Sequence, residues 1–86
     1  MKLISCEIHD YVEIACLFGY EIKLTLAQGP AVRGRALTTE TSPDKREWLL
    51  LDNQGTIEKV ELSEITGMTA VTPNPHFVTV DFPTLN

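Results

Sequence analysis

Glu7, Asp10 and Glu13 follow one another at intervals of three residues, and no lysine or arginine lies between Lys2 and Lys23. Carboxylates at this spacing could act as acid and base, or present negative charge to a basic partner. Acid–base work needs a pocket that drives two carboxyl pKa values apart. No glycine-rich loop flanks these residues, and no serine or cysteine nucleophile has a recognisable base partner. Charge presentation is therefore the expected chemistry, with no catalytic residue and no enzyme activity. Cys6 and Cys16, with the distant His9 and His76, lack the spacing of a zinc site. No metal and no cofactor is expected. In a cytosolic chain the two cysteines read as free thiols, with Cys16 as a small core residue.

The element that must carry the carboxylates is a short helix. Asp10-Tyr11-Val12-Glu13 has the form of a capping box, in which Asp10 accepts from the Glu13 N–H and Glu13 reaches back to the N–H of Asp10. Gly19 stands where a left-handed residue ends a helix. The pattern predicts about two turns, from Tyr11 to Phe18. Tyr11, Val12, Ala15 and Phe18 share the inward face, with Ile14 and Cys16 at its margins. Asp10 and Glu13 fall on the opposite side, with Leu17 between them. Capping alone accounts for Asp10 and Glu13; capping combined with docking also accounts for Glu7 and the missing bases. His9 is either a staple towards Ile14 or a partner contact.

Beyond the helix the period changes to two. Tyr20, Ile22, Leu24 and Leu26 alternate with polar residues in a half-buried strand. Gln28-Gly29-Pro30 is a turn. Val32 to Leu37 forms a second strand, in which Gly34 marks a bend or a close backbone approach. Thr38 to Lys45 reads as a loop. Arg46 to Leu51 is a strand with Trp48 as a core anchor. Asp52-Asn53-Gln54-Gly55 is a hairpin turn, and Thr56 to Leu62 returns, with a bulge suggested by the phase of Ile57. Ile65 to Val71 and Phe77 to Phe82 are further strands around Thr72-Pro73-Asn74-Pro75. Residues 83–86 read as a frayed tail. The fold class is mainly β with one N-terminal helix, an Sm-like small β-barrel or sandwich of five to six strands.

The 86 residues suit one domain, and the formal charge is −5. Such a charge disfavours direct nucleic-acid binding, which rests on cations neutralising phosphates. Neither a secretory leader nor an apolar run long enough for a membrane span is evident, so a cytoplasmic location without membrane association is expected. Arg33, Arg35, Lys45 and Arg46 are the basic clusters. They read as solvated strand and loop edges, or alternatively as the contact surface of an Sm-like RNA-binding module.

Ile4, Cys6-Glu7, Asp10, Glu13 and Ala15-Cys16, then Leu24, Leu26, Gly29, Gly34, Ala36, Glu47-Trp48-Leu49, Val60, Leu62 and Ile65, form a pattern that resembles the Rho-binding antiterminator family, known as Rof or YaeO. The resemblance runs from about Ile4 to Phe82, and its N-terminal block is the most specific part. It implies an Sm-like domain that binds the N-terminal RNA-binding region of the hexameric termination factor Rho, obstructs RNA loading and inhibits Rho-dependent termination. Glu7, Asp10 and Glu13 match the family's acidic docking residues, and His9 stands at a plausible contact position. The loop from Glu40 to Arg46 lies where the family has a second contact, though its sequence differs here, and Lys45 and Arg46 are the weaker candidates in it. Ile8 replaces an acid of some members. The free protein is expected to be a monomer.

Overall fold

Alternating burial along Glu21–Leu26 (β1) is what the sequence pattern requires of a strand with one face on a core. The computed structural model of the chain describes residues 6–82, with side chains from His9 onward. Helix α1 (Cys6–Phe18) precedes β1, β2 (Val32–Thr41), β3 (Glu47–Asn53), β4 (Thr56–Glu61), a 3₁₀ turn (Leu62–Glu64), β5 (Ile65–Ala70) and β6 (Thr79–Asp81). The strands form one antiparallel sheet in the order β4-β3-β2-β1-β5-β6. The mainly β architecture with a leading helix is as expected, but the sheet stays open, with β4 and β6 at its edges, instead of closing into a barrel. The expected tail at 83–86 lies outside the described residues.

The helix is longer than its cap signals imply. It runs 13 residues, so Asp10 and Glu13 are interior positions and the expected capping box does not form. No glycine or proline interrupts the chain before Gly19. At the other end the expectation holds. Gly19 has φ +63°, its N–H bonds the Cys16 carbonyl, and Tyr20 N–H bonds that of Ala15, which completes a Schellman closure.

Val12 and Ala15 are buried with Ile22, Leu24, Leu49, Leu51 and Met68, while Tyr11, Ile14 and Cys16 pack at the core margin. The helix lies chiefly against β2. Phe18, expected inside, is 55 % exposed; it stacks on Tyr20 and His76 at 5.6 and 5.5 Å between ring centroids. Tyr11 meets Phe77 edge-on at 5.5 Å, fastening the helix to the segment before β6.

Gly34 does mark a close approach. A Cβ there would sit 3.0 Å from the Asp52 carbonyl oxygen and 3.1 Å from Leu51 Cβ. The strand around it continues to Thr41, so half of the expected loop is sheet: Thr38 to Thr41 pair with Leu50 to Glu47. The β3–β4 ladder is regular, so Ile57 marks no bulge. The irregularities lie instead in β1 between Thr25 and Leu26 and in β2 between Ala36 and Thr38. Trp48 is half-buried instead of central: Nε1 donates to Ser42 Oγ at 3.2 Å, and Lys59 Nζ lies 4.9 Å from its ring centroid.

Candidate functional site

A helix of this geometry turns about 100° per residue, which gathers positions 7, 10, 13 and 17 into one stripe. Among the described side chains, Asp10, Glu13 and Leu17 are exposed there, and Leu17 keeps 76 % of its surface accessible. Glu7 belongs to the same helix by its backbone. Its side chain lies outside the described set. The opposite stripe, Val12 and Ala15, is held in the core, so packing fixes which way the carboxylates face.

His9 is turned towards β3. Its Nε2 lies 3.2 Å from Glu47 Oε2, a close contact whose alignment falls short of a hydrogen bond, and that nitrogen is shielded from solvent. His9 is thus not a staple to Ile14; it ties the carboxylate-bearing turn to the start of β3. Glu47 belongs to the family pattern noted in the sequence, but its approach to His9 was not foreseen, because no local pattern links two residues so far apart in the chain.

The basic residues are arranged differently from the acids on α1. Arg33 Nε pairs with Glu21, Arg35 Nη2 lies 3.7 Å from Asp52 Oδ2, and Arg46 reaches Asp44 at 3.1 Å and Glu61 at 3.6 Å. Lys59 pairs with Glu40 at 2.8 Å. By contrast, Asp10 and Glu13 form no ion pair with any described residue. Arg33 and Arg35 line a polar groove of about 740 Å³ together with their own partners Glu21 and Asp52. Lys45 and Arg46 stand apart from it, on the β2–β3 turn, where Lys45 has φ +67°. The Ser42 hydroxyl donates to Asp44 and, with Arg46 nearby, holds that carboxyl below its ordinary pKa.

A second depression, of about 360 Å³, runs between the helix and β2. Glu13, Cys16 and Leu17 form one wall, and Leu37, Thr38 and Thr39 the other. Leu37 is the residue left unpaired by the β2 irregularity. Burial, and then the charge of Glu13, push the Cys16 thiol up to about 11, so it stays protonated and neutral at ordinary pH.

A family model described as "Modulator of Rho-dependent transcription termination (ROF)" matches residues 3–82. The chain belongs to this ROF family. The family's role is therefore regulatory, acting on Rho-dependent termination. A solved structure, "YaeO bound to Magnesium from Vibrio cholerae O395", is similar to this ROF-family chain with a TM-score of 0.80 at 32% identity, covering 86% of this chain and 96% of that one. A search of curated proteins gave no match. Among the described residues of this ROF-family member, no three His, Cys, Asp or Glu side chains converge as a metal site, and no helix is long and apolar enough to cross a membrane.

Proposed function

We propose that this chain binds Rho near its primary RNA-binding site through the outer stripe of α1, blocks RNA loading and so inhibits Rho-dependent termination. Glu7, Asp10 and Glu13 act as surrogates for RNA phosphates, His9 contacts the partner or orients the helix, and Lys45 and Arg46 supply a secondary contact. The observation that carries this reading is the contrast in pairing. Arg33, Arg35 and Arg46 are engaged by carboxylates of the same chain, whereas Asp10 and Glu13 are exposed with no described cation to meet them. A groove that binds single-stranded nucleic acid is positively charged. Exposed carboxylates complement such a surface and steer the encounter.

The same contrast weighs against an RNA-binding module built on Arg33, Arg35, Lys45 and Arg46, because three of those four cations are already neutralised. The test is competition. Labelled pyrimidine-rich RNA is bound to purified Rho and the protein is titrated in. RNA displacement, with no RNA binding by the protein alone, is the expected result. Tight binding of the RNA by the protein without Rho would reverse the assignment.

A further inference from the structure

We propose that the depression between α1 and β2 seats one lysine or arginine side chain of the protein partner, its methylene stem on Leu17 and Leu37 and its charged end on the Glu13 carboxylate. This rests on the Rho-docking reading and names the apolar half of that same interface. Charge presentation alone gives no reason for a leucine to stand 76 % exposed between two carboxylates. Leu17 gains a role once the depression beside it is considered, because it forms one lip and Leu37 lies across from it. The irregularity in β2 supports the same reading. Leu37 has no β3 partner between Ala36 and Thr38, and bulges of this kind re-aim a side chain.

The occupant follows from the lining. Glu13 is the one charged residue among those that line the depression, and Cys16 there stays a neutral thiol. Lysine and arginine lay apolar stems along apolar surface while keeping the charged head on polar groups. An apolar wall with a carboxylate at its rim accommodates both parts. A second copy of this chain, of formal charge −5, and a nucleic acid both bring the wrong sign of charge.

The test measures Rho affinity by isothermal titration for the parent, Leu17→Ser, Thr38→Lys and Val78→Ser. Leu17→Ser removes the apolar lip at an exposed position, and Thr38→Lys supplies an internal lysine that competes for Glu13. Each is expected to weaken Rho binding by roughly fivefold to tenfold, the scale of a central contact. Val78 is 73 % exposed, precedes the edge strand β6 and does not line the depression. Val78→Ser controls for general loss of surface hydrophobicity and is expected to bind like the parent. If the parent fails to bind Rho, the docking reading itself is overturned. If the parent binds and Leu17→Ser and Thr38→Lys match it, or Val78→Ser loses as much as they do, the seat between α1 and β2 is overturned while Rho docking stands.

Discussion

His9 Nε2 rests 3.2 Å from Glu47 Oε2, joining the exposed turn of α1 to the first residue of β3. The two side chains are about two-fifths exposed overall and the contact is not aligned as a hydrogen bond, so its energy is small. Core packing of Val12 and Ala15 sets the position of α1, and the contact lies at the turn that presents Asp10 and Glu13.

Glu47→Gln removes the charge and keeps the shape. Urea unfolding should shift by less than about 1 kcal/mol, while Rho affinity should fall if the contact sets the helix angle. A stability loss well above that figure would mean that the pair is structural first.

Gly34→Ala tests the close packing of β2 on β3. The added methyl meets the Asp52 carbonyl oxygen at 3.0 Å and Leu51 Cβ at 3.1 Å, and backbone cannot swing aside as a flexible side chain can. A loss of about 1–3 kcal/mol in urea is expected, the usual range for overpacking. An unchanged midpoint would show that the two strands can separate without cost.

Cys16 should be a sluggish thiol. Raising its pKa from 9.0 to about 11 cuts the thiolate fraction about a hundredfold at a given pH below 9. In a Cys6→Ser background, iodoacetamide should label the native protein far more slowly than the urea-unfolded protein. Glu13→Gln should speed labelling by removing the smaller of the two causes. The sign of the linkage is also fixed. The folded protein holds this proton more tightly, so the contribution is complete below pH 9 and is lost as pH rises to about 11. Fast native labelling at neutral pH would contradict the burial of this side chain.

Lys45 combines a left-handed backbone with a charge. A non-glycine residue in that region carries about 1–2 kcal/mol of steric cost. Lys45→Gly should therefore raise the urea midpoint even as it removes the cation. If Lys45 contacts Rho, affinity should drop in a protein that has become more stable, which separates binding from folding. A gain in stability with unchanged affinity would remove Lys45 from the interface.

Much of the fold was legible because period and turn chemistry are local. The alternation around Ile22 and Leu24 located β1, and Gly19 marked the end of the helix correctly. Misreadings arose where local signals competed. Asp10 followed by Glu13 has the form of a helix start, yet an uninterrupted helix from Cys6 absorbs both residues. Thr38 to Thr41 are polar on a well-solvated stretch of strand, so β2 resembled a loop. Trp48 lies in an apolar run, but its indole N–H finds Ser42 and Lys59 covers its ring, both at the margin of the core. The exposure of Asp10 and Glu13 followed from helix phase. Their lack of described cation partners, the approach of Glu47 to His9 and the depression beside Leu37 depend on contacts between distant segments, which no local pattern encodes.

The most direct measurement is the affinity of Asp10→Lys/Glu13→Lys for purified Rho, taken beside its circular dichroism and across a salt series. The two residues are interior to α1, solvent-exposed and not part of a cap, so the helix signal should persist. The account predicts a loss of at least about tenfold for the variant, and parent binding that weakens as salt rises from about 0.05 to 0.3 M. A folded variant that binds Rho as tightly as the parent, with no salt dependence in either, would contradict it.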